Sequence, residues 1–259
     1  MRWIDTGSDR ALPACRRWIA ARMREHPAVW VAVIALLVAF AQLAAPAKGQ
    51  TPPAQKFVVV LDAAHGGDDA GGRIPHADGG SQQEKAYTLA LNIRLRSLLG
   101  ARGIAVVTTR EQDANVENEN RSAIANRANA RACLSLHASQ SGSGVHLFVS
   151  SLPPVDQGQL SPWKTAQAAY ITRSLALAGV INSALEHAGM TVTLGRTALP
   201  VIDSMACPAV AVEVAPELVT GQAQPTDIDD AGYEANVAEA LAAAIVQWRT
   251  GSQTEAPQP

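Results

Sequence analysis

Apolar positions along the chain follow two patterns, short runs rich in Val, Ile and Leu and longer stretches with helical spacing. The short runs predict six strands, at residues 56–63, 104–110, 133–138, 144–151, 199–202 and 208–214. The longer stretches predict four main helices, at residues 81–99, 118–130, 164–188 and 232–248. Alternation of strands and helices predicts an α/β fold: a single domain with a mostly parallel twisted sheet of about six strands and helices on both faces.

The predicted helix at 81–99 follows a glycine-rich loop and carries two competing signals in its first turn. Its predicted apolar stripe consists of Ala86, Leu89, Ala90 and Ile93. Ser81 to Glu84 has the S-x-x-E form of a capping box, in which the glutamate carboxylate binds backbone N–H at the start of the helix. The single Glu84 carboxylate cannot both cap the helix and take part in a functional site, so the two interpretations are alternatives.

The first 47 residues have the pattern of an export leader. An arginine-rich beginning precedes an uncharged apolar run at residues 28–45, and small-x-small sites stand at residues 39–41 and 45–47. We expect cleavage, and hence a periplasmic or extracellular protein; a retained leader would give membrane association through residues 28–45. A linker at 48–56 leads to a catalytic domain at 57–249, and residues 250–259 are predicted to be a disordered tail.

Charge and cysteine content narrow the possible partners. Beyond residue 47 the chain has 15 basic and 20 acidic side chains, a net charge of −5, which argues against a nucleic-acid partner. Cys133 and Cys207 each stand just before a predicted strand and could pair in an oxidising compartment, although their spacing does not establish it. We expect a monomer.

Three predicted strands end in polar residues that a buried strand would not ordinarily carry. His65 follows the first strand, His137 closes the third and Glu213 closes the last. Carboxyl ends of parallel strands meet at one edge of a sheet, where reactive groups gather. Two imidazoles and a carboxylate suit a catalytic zinc, with Glu84 as the natural third ligand. Glu213 would then remain free to move protons.

Each of these residues also has a structural interpretation. A single histidine at a strand end is more often hydrogen-bonded within the fold than a ligand, and Glu213 could merely face solvent. The glycines at 66, 67, 71 and 72 favour turns beside the metal over a phosphate cradle, because they lack the G-x-G-x-x-G order. The joint occurrence of His65, His137 and Glu213 at corresponding strand ends favours the functional interpretation.

Six segments in series resemble one known family. They are LDAAHGG, QQEK, TTREQD, NRSAIANRANA, LSLHAS and CPAVAVEV, and their order and context resemble the zinc-dependent N-acetylmuramoyl-L-alanine amidases of bacterial cell-wall turnover. The similarity covers about residues 57–248. It implies Zn²⁺ bound by His65, Glu84 and His137, with Glu213 as catalytic base. It also implies hydrolysis of the peptidoglycan amide between N-acetylmuramic acid and L-alanine, and a supporting role for Asp62, which would orient the loop or a ligand.

The chain departs from the family pattern at two places. Ala63-Ala64 stands where Pro-Gly is usual, which affects the turn that presents His65. After Glu213 the usual Gly-Phe and Ser-Asn become Val214-Ala215-Pro216 and Leu218-Val219, which alters the expected substrate groove. These changes motivate an alternative, a peptidoglycan-binding or regulatory protein of the same fold with little turnover. A zinc peptidase acting within the stem peptide is a third hypothesis.

The remaining histidines and two arginines of the matched region have structural interpretations. We expect His76 in an exposed loop, His146 partly buried on a strand face shared with Phe148, and His187 at a helix end. Pairing with acids accounts for Arg121 and Arg127.

Overall fold

A computed structural model describes residues 27–29, 31–32, 35–36, 56–76, 79–156, 162–218 and 225–254. The chain divides into two compact units, residues 1–55 and 56–259. In the first unit the described residues are helical and exposed. Most of the predicted leader and linker lies outside the described residues, as does the end of the predicted tail, so the predicted domain boundaries remain predictions.

The second unit is built on a six-stranded sheet. Its strands and those of a small hairpin are β1 (Val58–Ala63), β2 (Arg73–Pro75), β3 (Ser81–Gln83), β4 (Ala105–Thr108), β5 (Ala132–Ala138), β6 (Val145–Ser150), β7 (Val192–Thr197) and β8 (Ala209–Val214). The sheet order is β4-β1-β5-β8-β6-β7, and β2 and β3 form the separate antiparallel hairpin. Every neighbouring pair in the large sheet is parallel except β6 and β8. The prediction of a mostly parallel six-stranded sheet is confirmed.

Helices cover both faces of this sheet. They are α1 (Glu84–Ala101), α2 (Asn118–Arg127), α3 (Ile171–His187), α4 (Pro200–Asp203) and α5 (Ala231–Thr254), and a 3-10 segment, Trp163–Tyr170, leads directly into α3. On one face α1, α3 and α5 bury side chains such as Leu95, Ile181 and Leu241. On the other face α2 and α4 bury Ala125 and Ile202. The predicted two-sided arrangement is therefore confirmed.

One helical stretch of the described residues, Trp163–His187, is long and apolar enough to cross a membrane by length and composition alone. Its residues Leu177, Ile181 and Leu185 are fully buried in the core beneath the sheet. Packing against the sheet therefore accounts for its apolar composition.

The fifth strand of the large sheet is not where the sequence predicts it. Residues 199–202 were predicted as a strand, but Pro200–Asp203 forms the short helix α4, with proline in its first turn. Proline suits this position because its fixed φ is helical. An N–H in the first turn would have no acceptor within the helix, so its absence in proline removes no helical hydrogen bond. The strand that completes the sheet is β7, whose residues are mostly exposed at the sheet edge and give little apolar signal.

The predicted orientation of α1 is also wrong. Residues 81–83 are strand β3 rather than the first turn, so the helix begins at Glu84 and buries that side chain. Ile93, expected in the core, is 53% exposed. With Glu84 turned inward, the 3.6-residue period places the buried face at Tyr87, Thr88, Leu91, Asn92, Leu95 and Leu99.

Cys133 and Cys207 form a disulfide across 74 residues of chain. It joins β5 to the segment before β8, and both residues are fully buried in the smaller core beside α2 and α4. The pairing that the sequence left open is present.

Candidate metal centre and catalytic cleft

His65 is presented by a turn directly after β1. Its backbone lies in the left-handed region at φ 61°. Arg121 donates hydrogen bonds to the carbonyls of Ala63 and His65, both at 2.7 Å, and Arg110 donates to those of Ala63 and Ala64 at 2.9 and 3.0 Å. These contacts fix the turn without a glycine at position 64, because the left-handed conformation falls on His65 itself. The turn that presents His65 therefore forms with Ala63-Ala64 in place of the usual Pro-Gly.

Glu84 enters the site from the start of α1. The residue before the helix, Gln83, makes no side-chain cap, so the capping-box interpretation is wrong. The β2–β3 hairpin brings Gly72 beside the helix, where the Glu84 N–H donates to the Gly72 carbonyl at 2.8 Å. Backbone N–H groups of Gly72 and Ala138 donate to the two carboxylate oxygens at 2.8 and 3.1 Å. The carboxylate is therefore oriented by backbone from two different elements.

The Glu84 carboxylate lies between the two predicted histidines. Its Oε2 is 3.1 Å from Nε2 of His65, and its Oε1 is 3.1 Å from Nδ1 of His137. The two imidazole rings stand nearly perpendicular, with centroids 5.6 Å apart. One ligand atom from each of the three residues lies within 4.8 Å of the others. Two imidazole nitrogens and a carboxylate oxygen this close match the donor set of a three-ligand catalytic zinc site.

Hydrogen bonding changes the pKa values of this cluster. Burial acts to raise the pKa of Glu84, but hydrogen bonds from His137, His65 and two backbone N–H groups outweigh it, and the pKa lies well below its usual range. The pKa of His65 is raised, chiefly by its hydrogen bond to Glu84, against the opposing effect of burial. A raised pKa favours the protonated imidazole of His65, and a cation that binds there has to displace this proton.

Each histidine has a second contact on the side away from Glu84. Asp69 Oδ2 lies 2.8 Å from His65 Nδ1, and Ser135 Oγ lies 3.4 Å from His137 Nε2. A carboxylate behind a metal-binding imidazole fixes its tautomer and ring orientation. Sequence reasoning missed Asp69, although an acid four residues after a candidate ligand in a glycine-rich loop was a usable signal.

Asp62 lies beneath the site in a fully buried network. It is 1% exposed and accepts hydrogen bonds from Thr109, Ser135 and Arg121, each at 2.7 Å. Ser135 connects this network to His137, and Arg121 connects it to the turn that carries His65. Arg121, which sequence reasoning left as an ordinary ion pair, therefore links the buried acid to the backbone of a candidate ligand.

Glu213 stands beside His137 on the sheet. The two residues are register partners on the parallel strands β5 and β8, so their side chains leave the same face. Among the described residues the Glu213 carboxylate has no hydrogen-bond or ion-pair partner. It lines an open cleft together with His65, Gly72, Arg73, Ile74, Glu84, His137, Ala138, Ser139, Gln140 and Ser141. A carboxylate next to the cluster, and not committed to it, is available for proton transfer.

Two of the residues after Glu213 that depart from the family pattern, Val214 and Ala215, are packed into the fold, whereas Leu218 is exposed and Val219 lies outside the described residues. Val214 and Ala215 are buried, and the Ala215 carbonyl accepts a hydrogen bond from the Tyr233 hydroxyl at 2.9 Å. Glu217 is 6% exposed and accepts the Thr191 hydroxyl at 2.7 Å. The chain directly after Glu213 is therefore held by contacts to neighbouring elements of the domain.

The other three histidines of the described residues lie outside the cluster. His76 pairs with Asp229 at 2.7 Å, and its side chain is only 25% exposed rather than free in a loop. His146 is half-buried, contacts Thr193 at 2.6 Å and shares its strand face with Phe148 as expected. His187 is the last residue of α3.

Comparison with known proteins finds one matching family. The profile of a family described as N-acetylmuramoyl-L-alanine amidase matches residues 59–247. A search of curated protein sequences finds no match.

Solved structures share the fold at low sequence identity. The catalytic domain of the amidase CwlV from Bacillus (Paenibacillus) polymyxa is 23% identical, with a TM-score of 0.57 over 75% of this chain and 98% of that one. The amidase AmiC2 of Nostoc punctiforme is 24% identical, with a TM-score of 0.55 over 76% and 98%. An N-acetylmuramoyl-L-alanine amidase from Clostridium difficile is 17% identical, with a TM-score of 0.55 over 75% and 97%.

Proposed function

Because the chain belongs to the N-acetylmuramoyl-L-alanine amidase family, we propose that it is an exported zinc amidase that cleaves the bond between N-acetylmuramic acid and L-alanine in peptidoglycan. The observation that carries the proposal is the convergence of His65, Glu84 and His137, with their ligand atoms within 4.8 Å of one another. These three residues come from a turn, a helix start and a strand end, so they are close together only in the folded chain.

In this proposal His65, Glu84 and His137 hold the zinc. When bound, zinc supplies Lewis acidity, which polarises the scissile carbonyl and lowers the pKa of water. Asp69 and Ser135 hold the two imidazoles from behind, so that each ring keeps the nitrogen facing the ion free of a proton. Asp62 supports both sides of the cluster, through Ser135 and through Arg121.

Glu213 is proposed as the general base. Its carboxylate lies in the cleft beside His137 and is free to accept a proton from the attacking water. The same carboxyl then donates that proton to the nitrogen of the departing L-alanine, which leaves as an amine. The products are a peptide beginning with L-alanine and a lactyl carboxylate on the sugar.

Export is proposed on two observations. The first 47 residues have the pattern of a leader, and the domain contains a buried disulfide between Cys133 and Cys207. Disulfides persist in oxidising compartments such as the periplasm and are rare in the cytosol. Both observations fit a protein that meets its substrate outside the cytoplasm.

The test is incubation of the purified protein with intact sacculi, before and after metal removal by a chelator. We expect release of peptides with L-alanine at the free N-terminus, loss of this release on chelation, and recovery on addition of Zn²⁺. Elemental analysis should find about one zinc per chain. Retention on sacculi without products, with or without metal, would instead support the binding protein. Products cleaved between stem-peptide residues would support the peptidase.

A further inference from the structure

Arg73 is the single lysine or arginine among the described residues that line the catalytic cleft. It is the first residue of β2, and its side chain is exposed. Among the described residues its guanidinium has no hydrogen-bond or ion-pair partner. Arg73 has no role in the proposed mechanism, although it shares the cleft with the three proposed ligands and with Glu213.

Three other surface arginines of the domain are paired with acids, and Arg127, which is unpaired among the described residues, lies outside the cleft. Arg94 binds Glu234 at 2.9 Å, Arg96 binds Glu111 at 2.7 Å and Arg102 binds Glu239 at 2.6 Å. Acidic side chains outnumber basic ones in the region beyond the leader, so partners are plentiful. A guanidinium left without an acid at the wall of a cleft is therefore placed to meet an anion from outside the chain.

The backbone at Arg73 is fixed from three directions. Gly72 next to it donates its N–H to Glu84 at 2.8 Å, and Ile74 on the other side is 2% exposed. The far end of β2 is held by the His76 contact to Asp229 at 2.7 Å. Only the side chain of Arg73 is free to move, so a group that it binds would be held at a defined place near the metal cluster.

We propose that Arg73 binds a carboxylate on the peptide side of the substrate, on the residue next to the L-alanine. This inference rests on the proposed amidase function. The side group of that residue can be a free carboxylate or the corresponding primary amide. A guanidinium forms two parallel charge-assisted hydrogen bonds with a carboxylate, and a neutral amide cannot replace them. The cleft residues Ser139, Gln140 and Ser141 are uncharged and offer no such discrimination. The enzyme is therefore selective for stem peptides with the free carboxylate.

The test uses two muramoyl peptides that differ only in having a carboxylate or a primary amide at that residue. Specificity constants are measured for the zinc-loaded wild type, for Arg73→Gln and for Arg73→Lys. Arg127→Gln is the matched control, because Arg127 is exposed on α2 and does not line the cleft. Binding of both peptides is measured separately in the Glu213→Gln background, so that one readout does not depend on turnover.

The wild type and Arg127→Gln should prefer the carboxylate peptide by about tenfold, in both kcat/KM and affinity. Arg73→Gln should lose that preference while keeping its zinc, and Arg73→Lys should keep part of it. A preference that is unchanged in Arg73→Gln, or absent from the wild type, overturns the role of Arg73. Cleavage of both peptides with no preference for the carboxylate leaves the amidase assignment intact. Tighter binding of the carboxylate peptide that is lost in Arg73→Gln, with no cleavage of either peptide by the wild type, overturns the amidase assignment alone.

Discussion

His137 and Glu213 are register partners on the neighbouring parallel strands β5 and β8, so a proposed ligand and the proposed base leave the same sheet face side by side. They are 76 positions apart in the sequence, and only strand pairing brings them together. Glu84 is held by backbone and imidazole contacts, whereas the Glu213 carboxylate in the cleft has no partner among the residues that the structure describes.

Replacing Glu213 by Gln should abolish turnover and leave the metal in place. An amide cannot accept the proton, so we expect kcat to fall by at least about 100-fold. Zinc content, measured by elemental analysis, should match that of the wild type because Glu213 is not a ligand in the proposal. Glu186→Gln, which removes an exposed carboxylate at the end of α3, is the charge-matched control and should be fully active. Wild-type activity in Glu213→Gln would refute the assignment of the base.

Asp69→Asn should weaken zinc binding by about 10-fold or more. The substitution replaces the carboxylate 2.8 Å from His65 Nδ1 with an amide and so weakens the contact that orients the ring. The neighbouring Asp68 is exposed and makes no contact with the cluster, so Asp68→Asn should bind zinc like the wild type. Competition with a fluorescent chelator measures both affinities. Equal affinities for the two variants would show that Asp69 does not support His65.

Gly71→Ala should lower zinc occupancy through direct steric conflict. Gly71 has a φ of +67°, and a methyl group there would lie 2.6 Å from His65 Cδ2 and 2.8 Å from Glu84 Oε2. Gly79→Ala controls for backbone strain, since Gly79 has a φ of +85° but no atom within 4 Å of the added methyl. Both variants should lose some folding stability, but only Gly71→Ala should lose metal. Similar zinc content in the two proteins would contradict the prediction.

Loss of the disulfide should destabilise the domain without removing its metal site. Closing a loop across 74 residues restricts the unfolded chain, which corresponds to about 4 kcal/mol of unfolding free energy in the chain-entropy description. Urea denaturation of a double variant, Cys133→Ala with Cys207→Ala, measures the change. A reducing agent should lower the stability of the wild type and have no effect on the double variant. An unchanged unfolding midpoint after reduction of the wild type would contradict this expectation.

The predictions that succeeded rest on strong local signals. The buried strands β1, β5 and β8 appear as short runs of aliphatic residues, and their polar ends identify His65, His137 and Glu213 as unusual. Since carboxyl ends of parallel strands meet at one edge, the order of strands and helices was enough to predict that these residues would gather.

The predictions that failed depend on contacts between elements distant in the chain. The phase of α1 was misjudged because its buried face includes Glu84, Thr88 and Asn92, which are polar, while Ile93 faces solvent. The first turn was misjudged because residues 81–83 pair with β2. Edge strand β7 was missed since its residues are mostly exposed and follow no apolar pattern.

The sequence by itself determined the class of fold, the residue types at the strand ends and the family resemblance, because hydrophobic periodicity and motif order are local properties. Only the tertiary structure decided that Glu84 faces the histidines rather than capping its helix, and that Cys133 pairs with Cys207. It also decided that Asp69 and Asp62 support the cluster and that Arg73 lines the cleft with no partner in the described part of the chain. These relationships are distances between atoms, and such distances are set when strands pair and helices pack.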